Sequence, residues 1–125
     1  MIENISASLW TKQDLNAYQI FDVRTPLEWE EGILPNAQCV ALYDNQGLLN
    51  AKFLDEFQSK RDESKKLAFI CRSGHRSMVA AEFIAEKLGL ESINLDGGML
   101  ALRVVNARNL FTHSSFVFFS SLFCC

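Results

Sequence analysis

Positive charge is not in excess in this 125-residue chain: 12 Lys and Arg stand against 15 Asp and Glu, a formal net charge of −3. That balance offers no electrostatic basis for holding a nucleic acid, and no such partner is expected. Histidine is scarce, with two, and none of the four cysteines (Cys39, Cys71, Cys124, Cys125) forms a C-x-x-C pair. Zinc-ligand spacing is therefore missing, and no metal is expected. No apolar run reaches the roughly 20 residues that a membrane-spanning helix needs. The first residues, Met1-Ile2-Glu3-Asn4, lack a basic segment followed by an apolar one, so no secretory signal is expected. A reducing cytoplasm is the expected setting, where cysteines are more often catalytic than bridged. Neither a repeat nor a linker is visible, and this length suits one domain around one core.

What is present is an alternation of short apolar runs with helical patterns. Tyr18 to Val23, Ala37 to Leu42, Leu67 to Ile70 and Ser92 to Leu95 read as strands. Thr11-x-x-Asp14 reads as a capping box opening a short helix. Thr25-Pro26-Leu27-Glu28 is a sharper helix start, with Thr as N-cap, Pro at the first position and Glu at the third. Asn50 is expected to cap a helix that buries Phe53, Leu54 and Phe57. After Arg76, Ala80, Phe83, Ile84 and Leu88 share one helical side, and Gly89 is the expected C-cap. Strands alternating with helices predict an α/β fold with a central parallel sheet flanked by helices on both faces. Such sheets place their sites beyond the carboxyl ends of the strands, where Asp22, Cys71 and Asp96 fall.

The most informative stretch is Cys71-Arg72-Ser73-Gly74-His75-Arg76-Ser77, between the apolar run Leu67–Ile70 and the helix that follows. A thiol there faces a helix N-terminus, where backbone N–H groups and the helix dipole favour an anion. Two arginines and a histidine add positive charge, so Cys71 is expected to ionise readily and act as a nucleophile.

Three motifs together resemble the rhodanese family. Asp22-Val23-Arg24-Thr25-Pro26-x-Glu28-Trp29-x-x-Gly32-x-x-Pro35-x-Ala37 resembles its first signature. Cys71 to Ser77 is similar to its active-site loop, and Leu95-Asp96-Gly97-Gly98-Met99 to its closing motif. The resemblance spans about residues 5–105, implying one domain over 1–108 and an apolar tail over 109–125. It implies a sulfurtransferase in which Cys71 takes sulfur from thiosulfate or a persulfide donor and passes it to a thiol or to cyanide. No cofactor is needed. The amides of Arg72, Ser73, Gly74, His75, Arg76 and Ser77 would form a nest around the terminal sulfur. Arg72 and Arg76 would neutralise an anionic donor, and Ser77 would donate a hydroxyl hydrogen bond to sulfur. His75 adds positive charge when protonated. Asp22 is expected to pair with a loop arginine and hold the loop's shape, and Arg24 and Glu28 to be framework.

The loop reads C-x4-R, one residue shorter than the C-x5-R of related phosphatases, which favours sulfur transfer over a phosphatase-like hydrolase. A sulfur-carrier or interaction module is the other alternative. The chain departs from the family at Ile33, where histidine is common, at Ala101-Leu102, where Ala-Trp is common, and beyond Asn106. Cys39 is expected to pack inside a strand. In the tail, Phe116, Phe119 and Phe123 fit helical spacing; packing on the domain's own core is expected, with a homodimer contact as the alternative.

Overall fold

The alternation closes into one five-stranded sheet in the computed structural model, which describes residues 2–108, with side chains to residue 104. The elements follow in the order β1 (Ile2–Ile5), α1 (Ala7–Trp10), β2 (Tyr18–Asp22), α2 (Pro26–Trp29), β3 (Gln38–Cys39), α3 (Phe53–Lys60), β4 (Lys66–Ile70), α4 (His75–Leu88), β5 (Ser92–Leu95) and α5 (Gly98–Arg108). The strand order is β1-β5-β4-β2-β3, and every pairing is parallel. All carboxyl ends therefore lie along one edge. The tail over 109–125, and with it the packing and dimer expectations, lies outside the described residues.

Both sheet faces are covered. One buries Phe21, Leu67 and Phe69 against Phe53 and Phe57 of α3 and Ala80, Ala81 and Ile84 of α4. The Phe57 ring sits 4.7 Å from that of Phe21 and 5.9 Å from that of Phe69, centroid to centroid. The other face buries Ile20, Ala68, Ile70 and Leu95 against Trp10 of α1 and Met99 and Leu102 of α5. β4 is apolar on both faces because helices cover both. Ile33 and Leu102, two of the departures from the family pattern, are each 1 % exposed. They fill the core as aliphatic side chains.

Several expectations need correction. β1 and α1 precede the first helix read from the sequence. Thr11 does not open a helix but closes α1, its hydroxyl donating back to the Ala7 carbonyl. Asp14 caps a single 3-10 turn, Leu15–Ala17. The strand read over 37–42 pairs only at Gln38 and Cys39, although Val40 N–H and Leu42 N–H still reach the carbonyls of Asp22 and Val23. Cys39 is buried within it. Asn50 is not the N-cap of α3 but lies two residues ahead of it: its side chain accepts from the N–H of Lys52, the N-cap, its carbonyl accepts from Phe53 N–H, and α3 begins at Phe53. Gly89 closes α4 in the left-handed conformation, φ 68°.

Candidate active site

β4 brings the chain to the carboxyl edge of the sheet, and Cys71 is its next residue. The loop turns sharply into α4, a helix of 14 residues whose N-terminus faces the thiol. Gly74 makes the turn with φ 110° and ψ −10°. A Cβ there would lie 2.7 Å from the Asp96 carboxylate, so both the dihedrals and the space demand glycine.

The turn folds the loop back onto the sulfur. Cys71 Sγ accepts hydrogen bonds from Gly74 N–H at 3.1 Å and from Ser77 Oγ at 3.2 Å. Cys71 is 1 % exposed and Ser77 is fully buried. Arg72, Ser73 and His75 project outward and are exposed. Among the described residues, Arg72 has no hydrogen bond or ion pair from its guanidinium, which leaves its charge available at the rim.

The closing motif locks the loop from behind. Met99 N–H donates to the Cys71 carbonyl at 2.9 Å, and Leu100 N–H to the Arg72 carbonyl at 3.0 Å. Any Cβ on Gly98 would collide with the Cys71 carbonyl and the Arg72 backbone. The Gly97-Gly98 turn thus approaches the loop closely, with Gly98 making the approach.

Two ion pairs stand beside the loop, and their pairing differs from expectation. Asp22 pairs with Arg24, not with a loop arginine: Nε reaches both carboxylate oxygens at 3.0 and 3.1 Å, and Nη2 reaches Oδ2 at 2.7 Å. Arg24 also donates to the carbonyls of Gly32 and Glu28 at 2.7 and 3.2 Å. Both partners are buried. The pair closes over two residues at the end of β2, leaving the Asp22 carboxylate occupied and tying down the C-terminal part of α2 and the turn that follows it. The loop arginine Arg76 instead reaches Glu28 of α2, at 2.7 and 2.9 Å. Glu28 completes the capping box as well, accepting from Thr25 N–H and Thr25 Oγ at 3.1 and 3.0 Å. The Arg76 hydrogen bonds, with help from Thr25, hold the Glu28 carboxyl down at about 2. Glu28 in turn pushes Arg76 further up, keeping it charged.

One residue of the site lay outside the sequence reading. Asn94 of β5 donates from Nδ2 to the Gly74 carbonyl at 3.1 Å and to Asn4 Oδ1 at 2.8 Å. The signal for it was a polar residue inside the short apolar run Ile93-Asn94-Leu95. A cavity of about 450 Å³ lies at the opposite, amino ends of the strands, lined in part by Ile2, Tyr18, Lys66 and Ser92, and does not include Cys71. No group of three or more His, Cys, Asp and Glu among the described residues is placed to hold a metal. No described helix is long and apolar enough to cross a membrane.

A parallel α/β sheet that presents one cysteine from a strand-to-helix loop, closed by a glycine turn, is the rhodanese arrangement. The sequence profile of the rhodanese-like domain matches residues 6–103, and the chain belongs to that family. A Bacillus subtilis protein named "Putative sulfurtransferase YtwF" is 34 % identical over 82 residues, covering 66 % of this chain and 70 % of that protein. The crystal structure of a rhodanese-related protein from Thermoplasma volcanium superposes with a TM-score of 0.62 at 28 % identity, covering 82 % of this chain and 92 % of that one. Rv0390 from M. tuberculosis superposes with a TM-score of 0.64 at 26 % identity, over 77 % of this chain and 78 % of that one.

Proposed function

We propose that this protein is a sulfurtransferase that works through a persulfide on Cys71. Family membership and the B. subtilis relative support a role in sulfur transfer. The observation that favours this chemistry most is the sulfur's own environment: a buried Sγ that accepts from a backbone N–H and a hydroxyl at the mouth of a helix N-terminus.

In the first half-reaction the Cys71 thiolate attacks the outer sulfur of thiosulfate. The S–S bond of the donor breaks, sulfite leaves with the electron pair, and Cys71 holds a persulfide anion. In the second, cyanide or a cellular thiolate attacks the terminal sulfur, and the Cys71 thiolate is regenerated. Gly74 N–H and Ser77 Oγ–H are placed to stabilise negative charge on sulfur through both steps. Arg72, exposed and unpaired among the described residues, meets the anionic donor. Arg76, committed to Glu28, shapes the loop and supplies its charge from the side. A reducing compartment suits a thiol that must be regenerated each cycle.

A carrier reading has one observation in its favour. Leu100 is 38 % exposed and its N–H binds the Arg72 carbonyl, so apolar surface adjoins the cationic rim. A protein donor or acceptor could dock there.

Intact mass after incubation with thiosulfate tests the proposal, for wild type and Cys71→Ser, before and after cyanide. One added sulfur on wild type only, removed by cyanide with thiocyanate formed, is the expected result. A folded wild type that gains sulfur from a desulfurase but not from thiosulfate would favour the carrier. No sulfur gained from either, with strong Cys71-dependent release from a phosphotyrosine analogue, would replace sulfur transfer by hydrolysis.

A further inference from the structure

We infer that Asn94 is a positioning residue for Cys71, its carboxamide fixing the Gly74 peptide so that the Gly74 N–H points at the sulfur. The functional meaning of this role rests on the sulfur chemistry proposed above.

Gly74 is the pivot of the loop, and two hydrogen bonds hold it from opposite ends. Its N–H is engaged by Cys71 Sγ at 3.1 Å, and its carbonyl by Asn94 Nδ2 at 3.1 Å. These lie on the two peptide planes that flank one Cα, so together they set φ and ψ at a residue whose missing Cβ would otherwise leave both free. Asn94 reaches this point because β5 lies next to β4. In register it stands between Asn4 of β1 and Phe69 of β4, on the sheet face that α4 covers. Its second Nδ2 hydrogen goes to Asn4 Oδ1 at 2.8 Å. Two acceptors facing one NH2 group fix which way the amide points. A flipped amide would set Oδ1 against the Gly74 carbonyl.

The remaining atom of the carboxamide is left unmatched. Asn94 is 1 % exposed, and its Oδ1 is buried with no hydrogen-bond partner among the described residues. A buried, unmatched carbonyl costs free energy that an aliphatic side chain would avoid. Asn4, Asn94, Gly74 and the sulfur thus form a continuous chain of hydrogen bonds from the edge strand to the nucleophile.

Three measurements on Asn94→Leu test this: thermal melting, the Gly74 amide proton resonance, and the rate of iodoacetamide alkylation at Cys71, read by peptide mass. Melting shows that the variant folds: the substitution removes the orphaned Oδ1 but also takes Nδ2 from the buried Gly74 carbonyl. The Gly74 amide should move upfield as it loses the sulfur, and alkylation should slow about tenfold through misplacement of the site. Persulfide formation at saturating donor should fall by a similar factor, with half-saturation unchanged because Asn94 touches no donor. Alkylation and the amide resonance need no sulfur donor. They therefore report on positioning even if the wild type transfers no sulfur. A folded Asn94→Leu with an unmoved Gly74 amide and wild-type alkylation would overturn the inference. Should Asn94→Leu fail to fold, the exposed neighbour decides: Asn4→Ala should show both changes in smaller measure, and Asn4→Asp, which keeps the acceptor, should recover them. Wild-type values in Asn4→Ala would then overturn it.

Discussion

Glu28 and Arg76, 48 positions apart in the chain, meet in a two-pronged ion pair in which the residue that completes the α2 capping box also holds the Cys71 loop. The same carboxylate therefore supports a helix start and the Cys71 loop, and its loss should be felt at both.

Acid should expose this coupling. The Glu28 carboxyl titrates at about 2 in the folded protein against 4.5 ordinarily, chiefly because of Arg76. A depressed carboxyl stabilises the fold at pH above its unfolded value, and the contribution disappears as pH falls from about 4.5 towards 2. Urea unfolding from pH 6 to 2.5 should show wild type losing more stability than Glu28→Gln. The difference should be about 1 kcal/mol, because water reaches the rim of the pair and screens it. Parallel curves for the two proteins would count against the coupling.

Removing one partner of the buried pair at the end of β2 should be more damaging. Asp22→Ala leaves the Arg24 guanidinium buried and uncompensated, at a cost of about 3–5 kcal/mol. Persulfide formation should fall with it, since Arg24 also ties down the Gly32 and Glu28 carbonyls. Chemical denaturation beside sulfur uptake would check this. Lost uptake with unaltered stability would instead indicate a direct chemical role for Asp22.

Ser77→Ala deletes the hydroxyl donor at 3.2 Å from Cys71 Sγ and little else. Stability should change by about 1 kcal/mol or less. The rate of sulfur uptake should drop about tenfold, as expected for losing one donor to developing charge on a large, polarisable atom. Stopped-flow or quenched mass measurements under single-turnover conditions would read the step directly.

Gly98→Ala tests the rear wall of the site. The added methyl meets the Cys71 carbonyl and the Arg72 backbone at a residue with φ 57°. Backbone has to move, so both melting temperature and sulfur uptake should fall, the latter about a hundredfold if Sγ shifts by an ångström. A variant with wild-type uptake would show that the turn and the sulfur move independently.

The parts of this molecule that were legible in its sequence are those built from neighbours in the chain. The Thr25-Pro26-x-Glu28 cap is local chemistry and formed as read. So is the order apolar strand, glycine turn, helix around Cys71. β1 escaped notice because Ile2-Glu3-Asn4-Ile5 has only a weak strand pattern; its pairing with β5, about 90 residues away, makes it a strand. Thr11 and Asp14 had the spacing of a capping box, but Trp10 had already been drawn into the core beneath α5, ending the helix there. The choice between two arginines for Asp22 was also beyond local pattern. It depended on Glu28 of α2 reaching Arg76 across the mouth of the site. Asn94 was visible as an oddity in an apolar strand, and only the fold gives it Gly74 as a partner.

The carbonyls of residues 71 and 72 are taken by the amides of residues 99 and 100, so the seven-residue loop is half of a two-piece fixture. Transplanted alone into another strand-to-helix junction, residues 71–77 would bring the thiol and the charges without the clasp that keeps them in place. The smallest portable unit of this arrangement is the loop together with the Asp96–Leu100 turn, mounted on adjacent parallel strands.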